Sequence, residues 1–285
     1  MNATLKSIFI ALFPVTSLYF LIMTSIQIYH DRLSINNIGQ LFIFTTIVAF
    51  FALLFLKPVA RTKAGLTIHT FFIAIGFLTS IISSIIIEKN INIALPSIGL
   101  FIGWILYLKW YSTFKNRENN KILKVGNQLP ELILEDIHKN EVSTSRFIGN
   151  PSIYLFYRGN WCPLCMAQIK EIASQYKELE KRNANVVFIS PQPHAHTNLL
   201  AKKFGLHFNY LIDQNNKVAK QLQILSKSGI PMGFQVLGYE SDTVMPTVII
   251  TDAKGNIIFA DLTDNYRVRP EPSTFLEILD QQINR

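Results

Sequence analysis

Four long runs without a charged residue occupy residues 7–108 and constrain the fold more than any other feature of this chain. They are Ser7–Tyr29, Leu33–Leu56, Ala64–Ile87 and Asn90–Leu108. As a helix rising 1.5 Å per residue, each run is long enough to cross a hydrocarbon core of about 30 Å. A single run of this kind would fit a buried core helix, and the first alone would invite comparison with a signal peptide. Four in succession, with short connections, predict four transmembrane helices.

The charged residues divide the chain at the end of these runs. Residues 1–115 contain two acids and eight Lys/Arg, whereas residues 116–285 contain 17 acids and 19 Lys/Arg. The basic excess lies in short connections and not in a basic stripe with interleaved aromatic residues, which argues against nucleic-acid binding. We therefore predict a transmembrane domain over residues 1–115 and a second domain over residues 116–285.

The distribution of Lys and Arg around the four runs predicts an orientation. Seven of these residues lie on the side that holds the N-terminus, the second connection and the C-terminal part, and two lie on the other side. The seven are Lys6, Lys57, Arg61, Lys63, Lys109, Lys115 and Arg117. By the positive-inside rule, we expect a multi-pass protein of the inner or plasma membrane, in contact with lipid, with its C-terminal domain in the cytoplasm.

The second part has the pattern of an α/β domain. Residues 116–125 are polar and basic and fit a linker or a juxtamembrane helix. Apolar strand-like runs at Ile153–Tyr157, Asn185–Ser190 and Thr247–Thr251 alternate with helix-like segments, and Pro272–Ile283 reads as a closing helix. This order predicts a mixed central sheet flanked by helices, and about 160 residues suffice for one core.

The two cysteines of the chain, Cys162 and Cys165, lie between the first of these strands and a helix-like run. A Cys-x-x-Cys pair at a strand-to-helix junction places the first thiol at a helix N-terminus, where free N–H groups and the helix dipole stabilise a thiolate. The second thiol follows one turn later. This spacing indicates a dithiol redox centre.

Besides a redox centre, the sequence allows four other interpretations of the cysteine pair. Structural zinc needs four ligands, which His194 and His196 could complete only with an unusual spacing. Haem attachment needs a His after the second Cys, where Met166 stands. A purely structural disulfide would close too small a loop to stabilise much, and two inert buried cysteines remain. We expect neither a metal nor a cofactor.

Several motifs of the second part resemble the thioredoxin-fold superfamily, and within it the peroxiredoxin-like AhpC/TSA (redoxin) family. The resemblance covers roughly residues 124–283. It is carried by Val125–Pro130, Phe156–Cys165, Ser190–Gln192, Met245–Thr247 and Tyr266–Pro272. It implies a thioredoxin-like fold and thiol redox chemistry, with a peroxide or a protein disulfide as substrate and a thiol as electron donor.

The sequence also departs from the peroxiredoxin pattern. If Cys165 is laid on the peroxidatic position, Cys162 stands where a Thr is typical, Arg158 stands where a Pro is typical, and Pro246 takes the place of a later Arg. The thioredoxin pattern fits better. Trp161 precedes the first Cys and Pro163 lies between the two, while Met245 and Pro246 resemble the segment whose cis proline faces the disulfide.

These placements predict roles for the candidate site residues. Cys162 is expected to be an exposed, low-pKa attacking thiol, and Cys165 a more buried resolving thiol of higher pKa. Arg158 could stabilise an anion at the site, and Trp161 is expected to shape the pocket. His194 and His196 are expected as polar loop groups. For Arg267 and Arg269, we expect structural ion pairs with nearby acids.

The leading hypothesis is a membrane-anchored thiol-disulfide oxidoreductase of the redoxin type, with a role in peroxide detoxification as one form of it. Two alternatives stay open. One is a thiol peroxidase in which Cys165 is the peroxidatic cysteine. The other is a non-catalytic redox sensor or scaffold. Peroxide turnover with one essential cysteine, disulfide turnover that needs both, and a single oxidation without cycling would tell the three apart.

Overall fold

The computed structural model describes residues 3–283. The chain divides into two compact units. One consists of Leu5–Pro58 with Thr62–Thr113, and the other is formed mainly by the chain from Phe114 onward. The exact limit predicted from the sequence, between residues 115 and 116, stays a prediction.

The first unit consists of the four predicted helices. They are α1 (Ala3–His30), α2 (Ile35–Leu56), α3 (Thr67–Ile82) and α4 (Leu95–Leu106). The third continues as a π-helical turn over Ser83–Ile87. The fourth is preceded by a 3-10 turn at Ile91–Ala94 and followed by a π-helical turn at Tyr107–Tyr111. All four segments are long and apolar enough to span a bilayer. The prediction of four long apolar helices is confirmed.

Small and polar residues join these helices. At Gly39 of α2 an added Cβ would lie 2.6 Å from the carbonyl oxygen of Gly76 on α3, so the two backbones touch. Asn36 Oδ1 accepts a hydrogen bond from Ser80 Oγ at 2.7 Å, and Ser80 Oγ lies 2.8 Å from Ser97 Oγ. Close backbone approach and interhelical hydrogen bonds are the means by which apolar helices associate in lipid.

The second unit is built on a mixed seven-stranded sheet with the order β2-β1-β5-β4-β3-β8-β9. Its strands are β1 (Ile133–Glu135), β2 (Glu141–Ser143), β3 (Ser152–Phe156), β4 (Asn185–Ser190), β5 (Asn209–Ile212), β8 (Thr247–Thr251) and β9 (Ile257–Ala260). The central β3–β4–β5 strands run parallel, and β3–β8, β8–β9, β5–β1 and β1–β2 are antiparallel. A short separate pair joins β6 (Leu225–Ser226) to β7 (Thr243–Val244).

Helices flank this sheet, as the sequence predicts. They are α5 (Pro163–Ser174), α6 (Tyr176–Lys181), α7 (His194–Phe204), α8 (Lys217–Gln221) and α9 (Pro272–Ile283). All five residues of β3 are buried, which means that both faces of the central sheet are covered and explains the unbroken apolar run in the sequence. Tyr154 and Phe156 contribute alternate positions of that strand to one cluster with Val187 and Ile189 of β4.

The polar residues after the last candidate span belong to the fold of the second unit. Residues 116–125 are predicted as a linker or juxtamembrane helix, but Arg117 begins a 3-10 turn and its side chain is buried. Its guanidinium donates to the carbonyl oxygens of Thr263 and Pro246 at 2.6 and 3.0 Å and to Thr247 Oγ1 at 2.6 Å. Burial lowers the pKa of Arg117 to about 10, against the opposing effect of nearby Asp261 and Asp264. From sequence alone, a basic residue is expected at the solvated surface. In the structure, the hydrogen bonds of Arg117 compensate for its burial.

Candidate active site

The two cysteines lie at the carboxyl end of the central strand β3, where the chain turns into α5. Cys162 is the N-cap residue of the helix, with extended backbone angles, and Pro163 occupies the first helical turn, where its missing N–H costs nothing. Gly159 in the preceding loop has φ +140°, and a Cβ there would come within 2.9 Å of the Trp161 indole. The loop therefore requires glycine at this position.

Both thiols are free and buried, with 2% of Cys162 and none of Cys165 exposed. The prediction that Cys162 is exposed at the helix start is wrong. The reason is the loop Gly229–Tyr239, which lies over the junction. Trp161 packs against Phe234 with ring centroids 5.6 Å apart, and Tyr239 is buried next to Gly159.

The cation nearest to Cys165 comes from the far end of the chain. Arg269 Nη1 and Nη2 lie 3.6 and 3.5 Å from Cys165 Sγ. Nη1 also donates to Gln168 Oε1 at 3.0 Å, and Nε donates to the carbonyl oxygen of Tyr266 at 2.9 Å. The expectation that Arg269 makes a structural ion pair with an acid is wrong, because its guanidinium turns inward onto the thiol.

Arg158 is the second cation of the site, and it holds the covering loop. Its guanidinium donates to the carbonyl oxygen of Gly229 and stacks over the rings of Trp161 and Tyr266, 4.7 and 5.6 Å from their centroids. Its own carbonyl oxygen accepts from Thr243 Oγ1 at 3.0 Å. Arg158 is buried and its charge acts on Cys162, so the site combines two cations with two thiols.

The electrostatics of the site reverse the predicted order of the two thiols. Burial alone would raise the pKa of Cys165. The hydrogen bond from the Cys162 thiol, the charge of Arg269 and the backbone N–H of Arg158 outweigh it and lower this pKa to about 5. Burial, together with donation of its hydrogen bond to Cys165, raises the pKa of Cys162 well above its ordinary value. The assignment of Cys162 as the low-pKa thiol is therefore wrong, because the helix terminus is a weaker influence than a buried guanidinium.

A hydrogen-bond network orders the loop between β3 and Cys162. Gln192 Nε2 donates to Tyr157 Oη at 3.0 Å and to Thr197 Oγ1 at 3.1 Å, while its Oε1 accepts from the Asn160 backbone N–H at 2.8 Å. Burial raises the pKa of Tyr157, to which the nearby Cys165 charge adds, so the phenol stays protonated. The Ser190–Gln192 stretch thus supports the loop that leads to Cys162.

Met245 and Pro246 lie at the same end of the sheet as the cysteines. The pairing of Phe156 with Thr247 places Pro246 beside the first residue of the loop that leads to Cys162. No peptide bond among the described residues is cis, so the cis Met245–Pro246 bond expected from the thioredoxin pattern is not formed. Two hydrogen bonds hold the segment in its trans conformation: Arg117 Nη2 donates to the Pro246 carbonyl oxygen at 3.0 Å, and the Met245 N–H donates to the Ile224 carbonyl oxygen at 2.7 Å.

The remaining sequence candidates fall outside the thiol site. His194 and His196 begin α7 and are not loop residues; His194 pairs with Glu135 at 2.8 Å, and His196 stacks on Tyr239 at 4.8 Å. Within residues 3–283 no cluster of three or more His, Cys, Asp or Glu could hold a metal. Sequence reasoning missed Gln168 and the role of Arg269. The only signal for the latter is its position in the Tyr266–Pro272 motif, 104 residues after Cys165.

A thioredoxin-like mixed sheet with two thiols at the start of the helix after its central strand defines a peroxiredoxin-like redoxin domain. The model of the AhpC/TSA family matches residues 125–260. This part of the chain is accordingly an AhpC/TSA domain. Arg269 follows the matched segment, so its placement on Cys165 is a finding of the structure alone.

Relatives of known sequence agree with this class. A chloroplastic peroxiredoxin Q of Sedum lineare is 34% identical over 117 residues, which cover 39% of this chain and 63% of the relative. One from Triticum aestivum is 34% identical over 96 residues, 34% of this chain and 44% of the relative. A putative peroxiredoxin bcp of Helicobacter pylori is 27% identical over 105 residues, 37% and 69% of the two chains. The matched segments cover 63% and 44% of the two peroxiredoxin Q chains, which is less than two thirds of either.

Solved structures with a similar fold include Enterococcus faecalis AhpC, at 17% identity and a TM-score of 0.46 over 56% of this chain and 92% of that one. A peroxiredoxin-like protein of Aquifex aeolicus has 13% identity and a TM-score of 0.46 over 55% and 86%.

Proposed function

We propose that this chain is a membrane-anchored thiol peroxidase in which Cys165 attacks the peroxide and Cys162 resolves the product. The observation that carries the proposal is the geometry around Cys165, with two guanidinium nitrogens at 3.5 and 3.6 Å from its sulfur. A thiolate is the reactive form of cysteine, and a cationic surrounding keeps it ionised at neutral pH. This assignment adopts the Cys165 alternative and exchanges the roles first expected for the two cysteines.

The reaction follows from the two thiols. The Cys165 thiolate forms a bond to the terminal oxygen of the peroxide, the O–O bond breaks, and the leaving oxygen takes up a proton and departs as an alcohol or water. Cys165 becomes a sulfenic acid. Cys162 then loses its proton and attacks this sulfur, which forms the disulfide and releases water. The two electrons that reduce the peroxide come from the dithiol, and a thiol donor must return them by exchange.

The residues around the pair have separable tasks in this scheme. Arg269 holds the thiolate and faces the position at which negative charge develops on the leaving oxygen. Gln168 orients Arg269 through its 3.0 Å hydrogen bond. Arg158 and Trp161 fix the loop that covers the sulfurs, and Pro163 starts the helix on which Cys165 stands.

The test is peroxide turnover by the full chain in detergent with a thiol reductant. Cys165→Ser should abolish the reaction, whereas Cys162→Ser, assayed without the reductant, should consume about one equivalent of peroxide and then stop. The two variants are matched, since each replaces one sulfur by oxygen within the same helical turn. A first turnover that survives in Cys165→Ser and disappears in Cys162→Ser would reverse the assignment.

A second function, reduction of protein disulfides, is supported by the presence of both thiols in one turn. Insulin-disulfide reduction that exceeds peroxide turnover and needs both cysteines would favour it. A sensor or scaffold would oxidise once with peroxide and show no cycling with either substrate.

The location of the protein is part of the proposal. The four apolar helices support anchoring in a membrane, and the seven-to-two distribution of Lys and Arg supports a redoxin domain on the cytoplasmic side. The proposed partners are lipid, a peroxide or protein disulfide, and a thiol donor.

A further inference from the structure

The loop that covers the thiol site also carries an exposed apolar ridge. It connects β6 to β7, and no charged residue occurs from Ser228 to Tyr239. A 3-10 turn at Phe234–Leu237 lies at its tip, between two glycines of positive φ. Met232, Val236 and Leu237 are 50%, 87% and 54% exposed, and we call these three residues the apolar ridge.

The ridge is held in place from below. Phe234, between its members, packs on Trp161, and the Leu237 carbonyl oxygen lies 3.0 Å from His196 Nε2. Tyr239 stacks flat on the same imidazole. Burying a large apolar side chain is worth about 1.5–3 kcal/mol, so three exposed together on a braced turn are unfavourable in water alone. Exposed apolar patches of this kind mark interaction surfaces.

The connection to the last candidate span points to lipid as the occupant. That span ends at Tyr111, and Arg117 is already buried in the redoxin domain. The five residues between them reach about 20 Å at full extension. The domain is therefore confined to the surface of any membrane that the spans cross, where an apolar phase is always present. A partner protein would have to compete with it.

We propose that the apolar ridge inserts into the interfacial region of the bilayer beside the domain. The inference rests on the proposed anchoring by the four spans. Apolar side chains bind there by entering the boundary between headgroups and acyl chains, about 5–10 Å deep. The uncharged segment is flanked by one cation, Lys227, and one anion, Glu240, so it has no net charge to attract anionic lipid. The attraction of the ridge to the bilayer is therefore apolar. The contact between Phe234 and Trp161 then links the lipid-bound ridge to the segment that precedes Cys162.

Quenching of tryptophan fluorescence by lipids brominated on their acyl chains tests the proposal. The full chain is reconstituted in vesicles of zwitterionic phosphatidylcholine, with or without bromine. Val236→Trp is compared with the matched control Ile148→Trp. Ile148 is also exposed, at 56%, but it precedes the start of β3, and the thiols follow the end of that strand. The control therefore lies at the opposite end of β3 from the thiol site. The emission that Val236→Trp adds to the parent protein should be lost in brominated vesicles, and the emission that Ile148→Trp adds should remain.

Four other outcomes would overturn the proposal, and each points to a different cause. If the native Trp104 and Trp110 are quenched but the emission added at position 236 is not, the spans insert and only the ridge proposal fails. If neither is quenched, the anchoring itself is wrong. If both added tryptophans are quenched equally, the domain contacts lipid without using the ridge. Protection of position 236 from an aqueous quencher in all lipids, without bromine quenching, would instead assign the ridge to a protein or a second copy of this chain.

Discussion

Replacing Arg269 by methionine removes the cation nearest to Cys165 while keeping an apolar side chain of similar length. An opposite charge within 4–6 Å lowers the pKa of an acid by about 1–3 units. The pKa of Cys165, about 5 with Arg269 in place, should therefore rise to about 6–8 in the variant. The thiol is ionised above its pKa and protonated below it. On acidification, the variant therefore loses its thiolate at a higher pH than the parent does.

The magnitude depends strongly on the pH of the assay. With a pKa near 7, the thiolate fraction at pH 5.5 falls about 25-fold from its value at a pKa of 5, while at pH 8 it hardly changes. A more basic thiolate is also a better nucleophile, with a Brønsted coefficient of about 0.4–0.5. A pKa higher by two units therefore raises the rate constant of the thiolate roughly eightfold. The variant should therefore lose more of its peroxide rate at pH 5.5 than at pH 8, and loss of the charge that faces the leaving oxygen slows peroxide cleavage at both pH values.

The direct assay is a pH titration of thiolate absorbance in the ultraviolet, because it measures ionisation without nucleophilicity. The lower transition belongs to Cys165, since the pKa of Cys162 is raised. The exposed Arg146, replaced by methionine, is the matched control and should leave the midpoint unchanged. Arg269→Lys should keep part of the shift. A midpoint within half a unit of the parent, in an Arg269→Met protein with native circular dichroism, would refute the role of this guanidinium.

Three further outcomes follow from the structure. Gly159→Ala should lower the apparent unfolding temperature more than Gly149→Ala, because both positions have positive φ but only the first would clash with Trp161; equal effects would show that the clash is relieved at no cost. Arg117→Met should destabilise the redoxin domain by several kcal/mol, since each buried carbonyl left unpaired costs about 1–3 kcal/mol, and thermal unfolding no different from that of Arg146→Met would contradict this. A C-terminal alkaline phosphatase fusion, active only after export, should be inactive; high activity would reverse the orientation.

Local sequence patterns were sufficient for most of the fold. The four uncharged runs specify long apolar helices, since a charge-free segment of this length has few other stable states. The buried run at Ile153–Tyr157 predicts a central strand, and the structure has β3 at Ser152–Phe156 with every residue buried. The Cys-x-x-Cys spacing predicts the first helical turn after it, which begins at Pro163.

The electrostatics of the site could not be predicted in the same way, because they depend on contacts between distant parts of the chain. Arg269 reaches Cys165 across 104 residues, and no periodicity reports such an approach. Likewise, Arg117 appears as a linker charge in the sequence and becomes the buried donor that holds the segment at Pro246. The dipole of α5 would favour a Cys162 thiolate at a helix end open to solvent, whereas the covering loop buries that end.

The position of both sulfurs within one helical turn has a consequence for the lifetime of the oxidised site. A sulfenic acid at Cys165 would form within reach of the Cys162 thiol, so no segment would have to unfold before the disulfide closes. A second peroxide molecule, which would carry the sulfenic acid on to the irreversible sulfinic acid, competes with this closure. The closure waits on loss of the Cys162 proton, and burial raises the pKa of that thiol. Acidification should therefore prolong the sulfenic state and increase irreversible inactivation per turnover, and alkaline pH should protect against it.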